Sequence, residues 1–226
     1  MTIEEYFDDW CSVIDTREAD RILRKLSASH SFICPQIKDI FKAFRLCPFH
    51  ELRCVLIGQD PYADWYEGAP RATGIAFANN PNTPLSSFSP SLEILRESVI
   101  DFTVPHKNIN FDPSLEKWAK QGVLLLNSAL SCEKGKSNSH ALLWRPFIRT
   151  LLTNLSQQTF GIVYVLMGKY ADSFEPCISK TNYILHCRHP AYYARNHSRM
   201  PSDIWREINT LLVKLNGYGI EWYNEY

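Results

Sequence analysis

A chain of 226 residues, 45% apolar, is long enough for one well-packed domain and too apolar for global disorder. Its 24 Lys plus Arg balance 24 Asp plus Glu, so overall charge offers a nucleic acid nothing, and any such partner must be held by local patches. Seven cysteines, never in a C-x-x-C pair, argue against a disulfide framework or zinc ribbon, and no apolar stretch nears the roughly 20 residues that span a bilayer. With an acidic N-terminus that lacks a basic n-region, the expectation is an intracellular, cytoplasmic protein with reduced thiols.

Residues 1–50 read as a helical part, with apolar positions at Ile22, Leu23 and Leu26 and again at Ile37, Ile40, Phe41 and Phe44. Residues 51–226 read as the core of the same single domain. Its first strand, Cys54–Gly58, stops abruptly at Gln59-Asp60-Pro61-Tyr62. Pro61 fixes its own φ and lacks a donor, so the strand ends and Asp60 is held in an extended or turn geometry. Taken alone, that junction reads equally well as a solvated Asp-Pro turn. A loop over Asn79–Pro90, dense in Asn, Pro and Ser, leads to a helix over Ser91–Phe102. A helix over Pro113–Gln121, a strand over Val123–Asn127 and a helix over Ala141–Ser156 follow. Next come a strand over Ile162–Gly168, a helix over Ala171–Ile178 and a strand over Tyr183–Cys187. The last helix runs from Ser202 to Asn216, with Gly217 as its stop. Continuous apolar strands separated by helix-length segments predict an α/β fold, a three-layer αβα domain with a central four-stranded parallel sheet.

In such a sheet the carboxyl ends of the strands share one edge, where ligands bind. Those ends carry Gln59-Asp60, Asn127-Ser128, Gly168-Lys169 and Arg188-His189-Pro190. An acid, a carboxamide and an imidazole far apart in sequence therefore converge, provided that all four strands are parallel.

Six stretches then carry a resemblance. They are Gly58-Gln59-Asp60-Pro61-Tyr62, Gly74-Ile75-Ala76-Phe77, Pro90-Ser91-Leu92, Trp118-Ala119-Lys120-Gln121-Gly122-Val123-Leu124-Leu125-Leu126-Asn127, Asn138-Ser139-His140 and His189-Pro190. In this order they resemble the uracil-DNA glycosylases of the main (family 1) type, over roughly residues 50 to 225. The resemblance implies a DNA-repair enzyme that hydrolyses the N-glycosidic bond of deoxyuridine, without metal or organic cofactor. Its partners would be uracil-containing single- and double-stranded DNA and a DNA-mimicking inhibitor protein, and it would work as a monomer.

The implied chemistry matches the side chains. Breaking an N-glycosidic bond passes through a cationic sugar and an anionic base, so negative charge is needed on one side and donors on the other. Asp60 orients the water and stabilises the sugar; His189, as a neutral imidazole, donates to uracil O2. Asn127 accepts from N3–H and donates to O4, a pattern that cytosine inverts. Phe77 stacks on the extruded base, Tyr62 walls off the 5-position against the thymine methyl, and Gln59 contacts base and water. Ser91, Lys169, Ala191 and Tyr193 are the implied DNA-contacting residues, with Tyr193 as the wedge that enters the vacated stack. Outside that resemblance, His189 reads as a surface histidine, Phe77 as core, Asn127 as a turn cap and Ser89-Pro90-Ser91 as a capped helix start.

Four places depart from the family pattern. Ala63-Asp64 stands where the family has His-Gly, and the longer spacing from Asp60 to Phe77 predicts an enlarged, exposed loop around Trp65–Arg71. Lys169 replaces a serine. In the loop from His189 to Ala194, Ala191 keeps only its backbone N–H for phosphate, and Tyr193 replaces a leucine. Arg188, Arg195, His197 and Arg199 around it form a candidate basic patch. These changes also suit another class, a DNA-binding accessory protein on a glycosylase scaffold. A generic nucleotide-binding fold is disfavoured, since no G-x-G-x-x-G or P-loop follows any strand.

Overall fold

Alternation along the strands organises this computed structural model, which describes residues 2–102 and 109–225. The strands β1 (Cys54–Gly58), β2 (Val123–Asn127), β3 (Val163–Met167) and β4 (Tyr183–Cys187) form one parallel sheet in the order β2-β1-β3-β4. Successive side chains of a strand face opposite layers. Val55, Ile57, Leu124, Leu126, Tyr164 and Leu166 join one apolar cluster. Cys54, Leu56, Val123, Leu125, Val163, Val165 and Met167 join the other.

Five helices build the outer layers: α1 (Thr16–Ser27), α2 (Pro90–Phe102), α3 (Ala141–Gln158), α4 (Pro190–Arg195) and α5 (Asp203–Asn216). The first cluster includes Ile22 and Leu26 of α1, Trp144, Phe147 and Leu151 of α3, and the N-terminal rings Phe7, Trp10, Phe41 and Phe44. The second cluster includes Leu92, Leu95 and Val99 of α2 and Trp205, Ile208 and Leu212 of α5. The helical N-terminal part is therefore one wall of the core rather than an appendage. Asp15 caps α1 by accepting from the N–H groups of Arg17 and Glu18 at 3.1 Å, and Gly217 ends α5 in the left-handed region.

The predicted strands are all present, with β3 one residue shorter at each end. Two predicted helices shrink, each for a local reason. In the segment 113–121 only Glu116–Ala119 is helical, because Asp112 holds the N–H and hydroxyl of Ser114 and Leu115 is left-handed. In the segment 171–178 a turn at Lys169–Asp172 gives way to a 3₁₀ turn at Glu175–Cys177, where Pro176 supplies no N–H. Conversely, α3 runs two residues beyond Ser156 and tolerates the exposed Pro146 near its start.

The enlarged loop also differs from expectation. Trp65–Tyr66 pairs with Ala69–Pro70 as a small antiparallel hairpin, and only its tip at Glu67–Ala69 is fully exposed. A further two-residue ladder joins Ile33–Cys34 to Cys132–Glu133. Because the chain passes from β1 to β2 on one side and then to β3 on the other, the connections diverge around β1. The crevice is therefore expected at the carboxyl end of β1.

Trp205 is fully buried between the rings of Trp118 and Trp222, and its indole donates to Ser98 Oγ at 2.9 Å. Trp205→Ala should cost about 3–5 kcal/mol by large-to-small truncation. Urea unfolding checks this, and a loss below about 1 kcal/mol would contradict the packing described.

Candidate active site

The carboxyl end of β1 is clamped by the residues that follow β2. Ser128 donates through its N–H to Gly58 O at 3.1 Å and through its hydroxyl to Gln59 O at 2.6 Å. Ala129 N–H also donates to Gln59 O, at 3.0 Å. The turn is thus fixed from its main chain, and Asp60 projects from it into a pocket. Its Oδ2 accepts the N–H of Asn138 at 2.6 Å, and Asn138 itself has φ 62. Asparagine tolerates that left-handed conformation better than most residues. Burial raises the Asp60 carboxyl above its ordinary range; the N–H of Asn138 and the side chains of Gln59 and Ser137 oppose that shift.

Asp60, Tyr62, Phe77, Ser91, Asn127 and His189 all line one pocket. Gln59 is not among its lining residues; its carbonyl serves the clamp instead. Gly58 pairs with Asn127 at the end of β1 and β2. A Cβ at Gly58 would lie 2.7 Å from Asn127 Oδ1 and 2.7 Å from Phe77 Cζ, so only glycine lets both groups close in. Phe77 has φ 67, a strained value for an aromatic residue. Several contacts hold it there. Ala76 N–H donates to Leu125 O on the open edge of β2 at 3.1 Å, and Tyr62 OH donates to the Phe77 carbonyl at 2.8 Å. Burial pushes the Tyr62 phenol well above its usual range, so this donor stays protonated. Beyond Phe77, the buried Asn79 donates to Ser89 Oγ and accepts from Ser89 N–H, both at 2.8 Å.

His189 closes the opposite side, its ring centroid 5.5 Å from that of Phe77. Its Nδ1 accepts the N–H of Ala191 at 3.2 Å. Burial, with Arg195 adding a smaller push, lowers its pKa to about 4. The imidazole is therefore neutral near pH 7, and because Nδ1 accepts, Nε2 carries the proton and is the donor.

The implied DNA-contacting residues lie around this pocket in differing states. Ser91 is buried in the first turn of α2. Lys169 is exposed at the carboxyl end of β3. The Ala191 N–H expected to meet phosphate is instead engaged with His189, since α4 begins directly after that residue. Tyr193 is half-buried against the second cluster, edge-to-face with the exposed Tyr192 at 5.3 Å. In the candidate basic patch, Arg188 stacks on Tyr192 at 4.3 Å. Arg199 is paired with Asp101 at 3.0 Å, which offsets its charge.

Three supports were not read from the sequence. Asn138 was matched as a motif, but its N–H on Asp60 needs a turn 78 residues away. Asn79 lies in the predicted Asn-, Pro- and Ser-rich loop, where a buried carboxamide gives no periodic signal. Arg71 donates to Ser87 O at 2.6 Å and to Asp64 at 2.7 Å and covers the Tyr66 ring, tying the hairpin to the loop before α2.

The pocket gathers the aromatic face of Phe77, the donor and acceptor of the Asn127 carboxamide, the His189 imidazole and the Asp60 carboxyl, the group types that the edges and face of a planar heterocycle call for. A family model described as the uracil DNA glycosylase superfamily matches residues 44–213. A uracil-DNA glycosylase of Coxiella burnetii is 35% identical over 222 residues, covering 97% of this chain and 89% of the relative. One from Campylobacter lari is 36% identical over 194 residues, 84% of this chain and 80% of the relative. Among solved structures, mimivirus uracil-DNA glycosylase superposes with a TM-score of 0.74 at 21% identity, over 94% of this chain and 88% of that one. A mimivirus UNG variant in complex with UGI superposes equally well, at 0.74 and 22% identity, over 94% and 90% of the two chains.

The imidazole should titrate near pH 4 in the folded protein, with Nε2–H as the neutral tautomer, when followed by nitrogen chemical shifts. Since this pKa lies below the unfolded value of about 6.5, the unfolded chain takes up a proton first as pH falls. The stability tied to a neutral His189 is thus complete above that value and drains away toward about pH 4. A His189→Gln variant should lose this part of the acid sensitivity.

Proposed function

The chain belongs to the uracil DNA glycosylase superfamily and is a DNA-repair glycosylase, and we propose that it is of the family 1 type and hydrolyses the N-glycosidic bond of deoxyuridine after flipping the nucleotide out. The observation that carries this reading is the meeting of Asp60, Asn127 and His189 with Phe77 in one pocket. Free uracil and an abasic site are the products.

Each group has a task that its surroundings suit. The Asn127 carboxamide accepts uracil N3–H and donates to O4; a cytosine presents a bare N3 and an N4 donor, so both contacts fail. The Phe77 ring stacks on the base, and Tyr62 closes the side where thymine carries its methyl group. As the bond from C1′ to the base lengthens, negative charge builds on uracil O2 and the neutral His189 donates Nε2–H to it. A charged imidazolium is not needed, because a preorganised donor in a dry pocket acts without reorganisation. Asp60, in its carboxylate form, lies beside the cationic sugar and orients the water that adds to C1′. That water's proton leaves to Asp60 or solvent as the new C–O bond forms.

Outside the pocket, Ser91 and Lys169 grip phosphates and Tyr193 fills the vacated stack, with Tyr192 beside it as an exposed second ring. A lysine at position 169 makes binding more salt-dependent than a serine would. Uracil-containing single- and double-stranded DNA are the substrates. A monomer, an intracellular location and susceptibility to a DNA-mimicking inhibitor protein belong to the same reading.

The purified protein should release uracil from a deoxyuridine-containing oligonucleotide. Asp60→Asn should lower kcat at least about a hundredfold, the scale of losing one electrostatic contact to a transition state, while affinity for the DNA persists. No uracil release by the wild-type chain, with DNA affinity intact, would sink the reading. Asn127→Asp removes the donor to O4 and should slow uracil release at least about tenfold. In wild-type pH profiles, kcat/KM should rise through the acidic range as Asp60 ionises, later than an ordinary carboxylate, and show no step near 6.5 from His189.

A further inference from the structure

Beneath the turn that carries Asp60 lies a pair of thiols the reaction does not use. Cys34 and Cys132 face each other in the two-residue antiparallel ladder, and both are fully buried. Two residues along the same ladder, Phe32 O accepts the N–H of Lys134 at 2.8 Å. Cys34 and Cys132 are therefore again a hydrogen-bonded pair, whose Cα atoms stand about 5.5 Å apart, well inside the span a disulfide bridges. Their side chains point to the same face of the ladder and meet in one small apolar cluster with Ala72. That contact holds the Cys34 thiol below its ordinary range and pushes Cys132 up. The other buried pair, Cys47 and Cys54, differs, because burial raises both thiols and leaves neither as thiolate.

The same two sulfurs reach the catalytic turn. Cys132 Sγ lies 3.4 Å from Pro61 O and Cys34 Sγ lies 3.8 Å from Ala63 O, one on each side of Tyr62. The cover over them is the inserted hairpin: Ala63, Tyr62 and Trp65 pack on the pair. The buried Trp65 indole N–H has no hydrogen-bond acceptor among the described residues.

We propose that Cys34 and Cys132 form an oxidative modification site for a hydroperoxide, and that their disulfide slackens the Asp60–Tyr62 turn. The Cys34 thiolate attacks one peroxide oxygen, the O–O bond breaks, and hydroxide leaves with the sulfenic acid behind. Cys132 sulfur then forms the S–S bond as the S–O bond breaks, and its proton departs with that oxygen as water. The Cys34 proton joins the hydroxide as a second water, so two thiols are oxidised and one peroxide is reduced. The disulfide has no S–H to offer, and the carbonyls of Pro61 and Ala63 lose their donors.

The test uses the whole protein treated with hydrogen peroxide, digested without reductant and mapped by mass spectrometry, with uracil release measured in parallel. A peptide joining Cys34 to Cys132 is expected. Activity should fall roughly fivefold, the worth of one ordinary hydrogen bond, and return with dithiothreitol. Cys34→Ser and Cys132→Ser keep a donor at each position and should remove both the linked peptide and the peroxide sensitivity; two separate variants cover the failure of either to fold. Absence of the linked peptide, or equal inactivation of both variants, overturns the site. A linked peptide with unchanged activity overturns its coupling to the turn. The activity measurement rests on the glycosylase reading, whereas the peptide map does not, so an untreated chain without activity fails that reading alone.

Discussion

At the last rung between β1 and β2, Gly58 stands opposite Asn127, and the space left by the missing side chain is filled from both directions. The carboxamide of Asn127 and the ring of Phe77 each come within a distance that a methyl group would forbid. The pocket is in this sense made by the sheet: parallel register places the two strand ends level, and glycine leaves room for the Asn127 carboxamide and the Phe77 ring beside it. What surrounds this rung keeps it so. Ser128 and Ala129 clamp the β1 turn through its carbonyls, and Tyr62 and Ala76 fix the backbone of Phe77 in a conformation that it would not choose alone.

Burial acts on the two titrating groups in opposite senses, and the outcome suits each. For Asp60 desolvation works against ionisation, yet the N–H of Asn138 and neighbouring polar side chains favour the charged form. Those contacts limit the upward shift that burial imposes. For His189 desolvation favours the neutral ring, and the N–H of Ala191 selects the tautomer. One environment thus acts on both groups, each through burial and one main-chain N–H. The cost falls on α4, whose first N–H is committed to the imidazole.

Two of the chain's departures from its family pattern, Ala63-Asp64 and the inserted hairpin, lie together in space. The inserted hairpin at Trp65–Pro70 rests on Cys34 and Cys132 on one side and, through Arg71 and Tyr66, on Ser87 before α2 on the other. It therefore links the turn bearing Asp60 to the loop that leads to Ser91.

The sequence alone determined the strands, because buried parallel strands are continuous apolar runs whose ends are marked by Gly, Pro and polar residues. It also determined that an acid, a carboxamide and an imidazole would share one sheet edge, since parallel strands present their carboxyl ends together. The short helices near Glu116 and Lys169 were less legible, because an Asp–Ser turn and an interior proline outweigh apolar spacing. Only the tertiary structure decided the tautomer of His189, the support of Asp60 by Asn138, the engagement of the Ala191 N–H and the burial of Tyr193. Each depends on a contact whose partner or distance is set by packing. Local propensity carries no record of the N–H that a side chain will meet.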